Sequence, residues 1–312
     1  VIKNGKLDIE ERETPNPGPL DVVVAVRGAG INAADLMQRD GYYPAPEGWP
    51  ADIPGMELAG VVSSVGDRVH EPLLGRRVCA IVGGGAQATH ALVPSEHLLF
   101  VPDHVSWDQA GGFPEAFTTA HDALVTQAHV SAGERVLISG STGGVGIAAV
   151  QIAHALGAHV TAVTRTSEHH DQLRECGADE TVTVDQVGAV DRVDVILELV
   201  GAAHLGVAQS LLKTFARVVV IGVSGGGSRV DLDLLTFMAT RSSLTGSTLR
   251  GRSRAEKAEV ADRVSHTLIP RWRTGEIRVP VAQSFSLEDV AMAYEYFAQP
   301  GKFGKVVLRI DE

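Results

Sequence analysis

Gly140-Ser-Thr-Gly-Gly-Val-Gly146 decides the reading of this chain because of what flanks it. Before it stands Glu134-Arg-Val-Leu-Ile-Ser-Gly140, a short apolar run bounded by polar residues, the pattern of a buried parallel strand. After it comes Val145-Gly-Ile-Ala-Ala-Val-Gln-Ile-Ala-His-Ala-Leu156, with small and apolar residues at helical spacing. Strand, glycine turn and helix in that order turn a weak glycine pattern into the expectation of a dinucleotide site. Glycines let the backbone approach a pyrophosphate without Cβ clashes, and the helix N-terminus offers free N–H groups and positive partial charge.

The next segment narrows the ligand. His159-Val-Thr-Ala-Val-Thr164 reads as a second strand, reached after Gly157-Ala158 stops the helix. A site that prefers NAD places Asp or Glu near the end of this strand to bind the ribose 2′-hydroxyl. Here Thr164 stands there, followed by Arg165, Thr166 and Ser167. An acid would repel a 2′-phosphate, whereas an arginine flanked by hydroxyls pairs with one. The sequence therefore favours NADPH.

The chain of 312 residues is long enough for two domains with separate cores. It is 44% hydrophobic and 21% charged with 34 glycines, a globular α/β composition. A formal net charge of −11 argues against a nucleic-acid partner, which would need a basic face. No apolar run is long enough to cross a bilayer, so no membrane partner is expected. The amino end shows no signal-peptide pattern. Cys79, within the strand-like Arg77-Val-Cys-Ala-Ile-Val82, and Cys176, at a helix end before Gly177, read as packed thiols. Two cysteines make no disulfide framework, and a cytoplasmic location is expected.

The first part of the chain is β-rich. Asp21–Arg27, Gly60–Val65 and Arg77–Val82 are β-branched runs punctuated by Gly and Pro, and Pro44–Pro54 is a loop too irregular for a helix. From Glu134 onward, strands are expected at 135–139, 159–164, 180–184, 192–199, 217–222 and 243–248. Helices are expected near 144–156, 167–176 and 202–213. That is a doubly wound parallel sheet, with its ligand at the carboxyl edge beside the first strand. A charged helix from Ser253 to Thr274 follows. Ser286-Leu-Glu-Asp289 has capping-box form and opens a helix through Phe297, and Gly304–Ile310 reads as a last strand. The tail matches the β-rich first part in style. The expected division is residues 1–112 with 250–312 as one discontinuous domain, and 113–249 as a dinucleotide-binding domain inserted within it.

These residues carry a family resemblance. Gly30-Ile-Asn-Ala-Ala-Asp35 looks like a Gly-Ile-Asn-x-x-Asp signature. Gln38-Arg-Asp-Gly-Tyr-Tyr-Pro44, Pro54-Gly-Met-Glu-Leu-Ala-Gly60 and the glycine turn follow in order and spacing. Phe113–Ala120, Leu244–Arg250 and Gly301–Val307 extend the match along nearly the whole chain. The chain resembles the zinc-independent, zeta-crystallin-like quinone oxidoreductases of the medium-chain dehydrogenase/reductase superfamily. Its middle motifs resemble the tumour-suppressor-inducible subgroup. The resemblance implies a GroES-like β-rich catalytic domain carrying an inserted Rossmann domain. It also implies NADPH as cofactor, a quinone or enone as small-molecule substrate, and a homodimer. The edge strand near Ser243–Thr248 has backbone groups that a second copy would satisfy.

Against the zinc alcohol dehydrogenases of the same superfamily, Asn32 replaces a ligand Cys, and Gly55-Met56-Glu57 replaces Gly-His-Glu. The structural four-cysteine lobe is missing and the 12 histidines are scattered, so no metal site is expected. Without a metal, the protein must orient the acceptor and stabilise its developing oxyanion. The resemblance points to Tyr43, whose phenol donates a hydrogen bond or proton, and to Asn32, whose amide donates to a carbonyl or a cofactor ribose. For each, a local role is the alternative: loop packing for Tyr43, a turn for Asn32. Further implied cofactor contacts are Thr119, Gly140, Gly143, Gly144, Val145 and Gly146 at the pyrophosphate, and Thr164 and Arg165 at the adenosine phosphate. Gly222, Val223 and Ser224 are implied near the nicotinamide half. Leu249 and Arg250 are implied at the border of the active site, and Lys302 reaches back from the tail. For Arg250 and Lys302 an ordinary surface cation is the competing reading.

Two alternatives to a quinone reductase stand beside it. One is reduction of an activated C=C bond in an enone or enoyl thioester; the other is a non-catalytic NADPH-binding protein. The cofactor expectation is testable directly. NADPH and NADH differ only in the 2′-phosphate, and a charge-assisted hydrogen bond contributes roughly 1.5–3 kcal/mol, about 10- to 150-fold in affinity. Exposure of the adenine end keeps the effect near the lower limit and makes it salt-dependent. Arg165→Ala should weaken NADPH about tenfold by that estimate and leave NADH nearly untouched, as read by fluorescence titration at two salt concentrations. Equal losses for both cofactors would show that Arg165 only shapes its loop.

Overall fold

The computed structural model describes residues 1–223, 225 and 227–311. The chain divides into two compact units: an outer one of Val1–Thr118 with Leu249–Glu312, and an inserted one of Thr119–Thr248. The first boundary falls six residues later than the sequence suggests, because the helix Pro114–His121 carries the chain across it. In the outer unit, Phe113 stacks on Phe117 at 4.7 Å and on Trp272 at 4.1 Å, which binds the start of that helix there.

In the inserted unit, strand order across the six-stranded sheet is Glu180–Thr183, His159–Thr164, Arg135–Ile138, Val193–Glu198, Leu212–Val220 and Ser243–Gly246. Every neighbouring pair is parallel. In sequence order this is 3-2-1-4-5-6, the doubly wound arrangement whose ligand crevice opens where the order reverses, between the first and fourth strands. Apolar runs such as Val193–Leu197 sit within a core of Leu137, Val163, Ile196, Leu205 and Val218. Two-sided burial is what such β-branched runs require.

The fifth strand begins at Leu212 rather than 217, with a register shift beside Phe215, which holds a left-handed φ of 65°. The preceding helix therefore stops at Ala208, and a short 3-10 turn, Gln209–Leu211, leads into the strand. A helix absent from the sequence reading, Leu234–Thr240, precedes the edge strand. Asp233 caps it by accepting from the N–H groups of Leu235 and Thr236. Its Leu234, Leu235 and Met238 are 68%, 75% and 73% exposed, so the burial that makes an amphipathic stripe legible is missing.

The outer unit holds a seven-stranded sheet around the strand Asp21–Ile31, which pairs antiparallel with Glu57–Val65, His90–Pro94 and the tail strand Lys305–Arg309. The tail strand pairs in turn with Val281–Ser286, so strands from the tail complete the sheet built around Asp21–Ile31. Here Gly28 is essential: a Cβ would stand 2.4 Å from the Trp107 carbonyl. The expected single helix 253–274 is two, Arg254–Thr267 and Ile269–Thr274, because Pro270 cannot donate within a helix and sits at the start of the second. Ser286 ends a strand and is not a cap. It donates to Asp289 at 2.9 Å, and Asp289 takes the N-cap position of the helix Val290–Ala298 without a side-chain cap. Among the described residues, no helix is long and apolar enough to cross a membrane.

The carboxyl edge of the inserted sheet is stitched by Glu198, which is fully buried. Its Oε1 accepts from Ser139 Oγ at 2.8 Å, Val200 N at 2.7 Å and Gly201 N at 2.8 Å, and its Oε2 lies 2.5 Å from His204 Nδ1. Burial alone would push this carboxyl up, but the His204 and backbone hydrogen bonds outweigh it and hold it below the usual range. A lowered carboxyl contributes stability above its unfolded pKa and loses it as pH falls through the folded one. Glu198→Gln should therefore lower unfolding stability at neutral pH by about 1.5–3 kcal/mol, the range for a charged hydrogen bond. In chemical denaturation the two proteins should converge as pH falls below about 4, the ordinary carboxyl range. A gap that stays constant with pH would contradict this.

Candidate active site

In the inserted unit the glycine turn is built for a close-approaching ligand. Gly140 ends the first strand with φ 60°, a left-handed conformation that allows the sharp turn. Ser141, fully buried, pins the turn: its Oγ donates to the Ile138 carbonyl at 2.8 Å and accepts from Val163 N at 3.1 Å. Gly143 is the N-cap residue of the helix Gly144–Ala155 and offers no side-chain cap, leaving the first N–H groups of a 12-residue helix to face a ligand. A Cβ on Gly146 would stand 2.4 Å from the Gly140 carbonyl, so only glycine lets the helix sit against the turn. Three glycines thus do the three jobs of a dinucleotide fingerprint: turn, approach and packing.

At the end of the second strand, Thr164 is buried, and its hydroxyl donates to Thr166 O at 2.8 Å and lies 2.9 Å from His170 Nε2. It shapes the loop. Arg165, Thr166 and Ser167 are exposed beyond it. His170 thus helps hold this loop. After the fifth strand, a Cβ on Gly222 would meet the Leu199 carbonyl at 2.6 Å, which draws this loop against the end of the fourth strand. Val223 beside it is 42% exposed, and Ser224 lies outside the described residues. Thr119, the first residue of this unit, is buried.

In the outer unit, Asn32 caps the helix Ala33–Arg39, and its side chain belongs to a larger cluster. Asn32 Nδ2 donates to Glu57 Oε1 at 2.8 Å, and Asn32 Oδ1 accepts from Lys305 Nζ at 2.6 Å. Lys305 also donates to Glu57 Oε1 at 2.6 Å and to the Ile31 carbonyl at 3.2 Å, so all three ammonium hydrogens have acceptors. Glu57 is fully buried, and its Oε2 accepts from Glu115 N at 2.8 Å. Gly30 makes the room: a Cβ there would be 2.1 Å from Glu57 Oε1. The local turn that Asn32 alone would form is thus only part of its role. One of its two amide hydrogens is committed to Glu57.

Asp35 lies beneath the same cap. Its Oδ2 accepts from Asn32 N at 2.8 Å and its Oδ1 from Gly55 N at 3.1 Å. Burial, only partly offset by the Asn32 hydrogen bond, pushes this carboxyl up to about 7. Glu115, in the first turn of its helix, is also pushed up to about 7 by loss of water and by the nearby Glu57 carboxylate.

Tyr43 is half-buried, and Arg250 organises it. The Arg250 guanidinium lies 5.0 Å from the centre of the Tyr43 ring and donates from Nη1 to the Tyr43 carbonyl at 3.1 Å. Its Nε donates to Gly83 O at 2.9 Å, and its Nη2 to Gln38 Oε1. Arg250 is only 4% exposed, which overturns the surface-cation reading. Leu249 beside it is buried. Lys302 is half-buried, donates to Gln299 O and sits 5.2 Å from the Phe297 ring centre. The tail lysine that reaches the buried cluster is Lys305, which the sequence reading passed over. Its signal was faint: a lysine opening an otherwise apolar strand.

Among the described residues, no group of three or more His, Cys, Asp or Glu side chains could hold a metal ion. At the positions of zinc ligands in the alcohol dehydrogenases stand a neutral amide, Asn32, and a buried thioether, Met56. Glu57 has both oxygens engaged by donors. These residues do not fit a zinc ion.

Comparison with known proteins agrees with this architecture. The model of the alcohol dehydrogenase GroES-like domain matches residues 18–126, and that of the zinc-binding dehydrogenases matches residues 144–266. The quinone oxidoreductase of Lama guanicoe is 30% identical over 306 residues, covering 94% of this chain and 90% of that one. The human synaptic vesicle membrane protein VAT-1 homolog is 28% identical, covering 97% of this chain and 82% of its own length. Among solved structures, the quinone oxidoreductase of Thermus thermophilus matches with a TM-score of 0.85 and 30% identity, covering 98% of this chain and 96% of that one. With a glycine turn suited to a dinucleotide and full-length similarity to these proteins, the chain belongs to the quinone oxidoreductase branch of the medium-chain dehydrogenase/reductase superfamily, a superfamily of nicotinamide-dependent oxidoreductases.

Proposed function

We propose that the protein reduces a quinone-type acceptor with NADPH and without a metal ion. The observation that carries the cofactor choice is the exposed Arg165-Thr166-Ser167 segment at the end of the second strand, where an NAD site would hold an acid. The solved Thermus thermophilus relative was also determined in complex with NADPH, which supports the same choice. NADPH, when bound, supplies a hydride.

The residues of the inserted unit bind and orient that cofactor. The helix N-terminus behind Gly143, Gly144 and Val145 faces the pyrophosphate, with Thr119 beside it. Arg165 pairs with the 2′-phosphate. Gly222 and Val223 flank the nicotinamide half.

In the outer unit, Tyr43 donates a hydrogen bond to the acceptor oxygen and a proton as charge develops there. Asn32 donates its remaining amide hydrogen to the acceptor or the ribose. Leu249 contributes an apolar wall, and Lys302 remains a candidate cofactor contact only if its side chain leaves Gln299. Quinone rather than enone reduction is supported by the names of the relatives. Two buried thiols, Cys79 and Cys176, accord with a reducing, cytoplasmic compartment.

We also propose a homodimer. All four residues of the edge strand Ser243–Gly246 are exposed, beside the exposed Leu234, Leu235 and Met238 of the neighbouring helix. Light scattering should give twice the chain mass at micromolar concentration, and a monomer there would remove the proposal.

Stopped-flow NADPH oxidation against a panel of quinones and enones tests the reaction. Quinones should turn over fastest. An enone-only profile would favour C=C reduction, and no oxidation by any acceptor would favour a binding protein. In Tyr43→Phe, NADPH affinity should hold while turnover of polar acceptors falls. Unchanged turnover for every acceptor would reduce Tyr43 to packing.

A further inference from the structure

A small cavity of about 20 Å³, partly open to the surface, lies within the outer unit. Leu99, Leu249 and Val260 form part of its apolar wall, and His97, Thr118 and Lys257 supply its polar one. His97 and Thr118 are each 4% exposed. Among the described residues, neither His97 Nδ1 nor Thr118 Oγ1 has a hydrogen-bond partner. Two unsatisfied buried polar atoms on one small cavity are rare enough to require an explanation.

The chemistry of the three side chains determines what would satisfy them. His97 Nε2 lies 2.9 Å from the Arg254 carbonyl, which can only accept, so Nε2 carries the ring hydrogen. Burial holds this imidazole below its usual pKa and keeps it neutral. Its Nδ1 therefore presents a lone pair to the cavity. Lys257 offers only donors, and it has no ion-pair partner among the described residues. The Thr118 hydroxyl can donate or accept.

We propose that this cavity binds one water molecule, which donates to His97 Nδ1 and accepts from the Thr118 hydroxyl or the Lys257 ammonium. The volume fits: a single water needs roughly 10–15 Å³ of such space and two to four polar partners. An anion would face the His97 lone pair, and a metal cation would face the Lys257 charge. An apolar guest would leave all three polar groups unmet. The water joins the turn Ser95–His97 to the helices Pro114–His121 and Arg254–Thr267, three segments distant in sequence. His97 and Lys257 also form part of the wall of a larger groove of about 1050 Å³, which gives the water a route of exchange.

A high-resolution crystal structure of the full chain, with ¹⁵N NMR of its histidines, tests the site. Density for one water within hydrogen-bond distance of His97 Nδ1 and Thr118 Oγ1 is expected, with His97 in the Nε2–H form. Thr118→Val keeps the shape and removes the hydroxyl. It should shift or displace the water and lower the melting temperature, and Thr118→Ser should restore both. A dry cavity, an ion in place of water, or a Thr118 hydroxyl that donates to a carbonyl of its own helix would overturn the proposal. So would a Val variant as stable as the parent with its water in place. Should the Val variant not fold, the density and the His97 tautomer in the parent decide the matter alone.

Discussion

The ion pair between Lys305 and Glu57 governs the polar interior of the outer unit. Burying two charges costs several kcal/mol per ion, roughly, unless every hydrogen and lone pair finds a partner. Here each ammonium hydrogen has an acceptor, and each Glu57 oxygen has a donor. Around this pair the local structure falls into place. Gly30 must lack a side chain to admit the carboxylate, Asn32 bridges the pair while capping its helix, and the helix Pro114–His121 begins where Glu115 N meets Glu57. The tail strand that carries Lys305 must pair with Asp21–Ile31 to bring the ammonium in, so the last part of the chain is as necessary to the cluster as the first.

The same cluster is crowded with acid. Asp35, Glu57 and Glu115 lie near the buried cations Lys305 and Arg250, with Lys257 also near Glu115, and burial pushes Asp35 and Glu115 up to about 7. A raised carboxyl favours the folded state while it stays protonated. Its contribution is whole below the unfolded pKa and is lost as pH rises through the folded one. Over roughly pH 4 to 7 these two groups therefore work against the fold as pH climbs, opposite in sign to Glu198. The Lys305 charge and the Asn32 N–H limit that cost at Asp35.

Much of this was legible in the sequence, and the limits have physical causes. The glycine turn announced itself because two of its four glycines, Gly140 and Gly146, are needed for backbone reasons that act within seven residues. The strands of the inserted sheet were legible because two-sided burial leaves continuous apolar runs. Lys305 was not, since its partner Glu57 lies 248 residues away and a lone lysine near a chain end looks like a solvated one. The burial of Arg250 was hidden for the same reason: its acceptors are Gly83, Tyr43 and Gln38, all brought to it by the fold. The helix Leu234–Thr240 was missed because Leu234, Leu235 and Met238 face outward and, of its large apolar residues, only Phe237 packs inward, so no apolar stripe marks it.

The central proposal is that the protein works without a metal ion, with Asn32 and Met56 standing where the alcohol dehydrogenases of the same superfamily hold zinc. The measurement that tests it most directly is elemental analysis of the purified protein, paired with NADPH oxidation before and after exhaustive treatment with a strong chelator. Well under one zinc per chain and unchanged turnover are predicted. Stoichiometric zinc whose removal abolishes turnover would contradict the account.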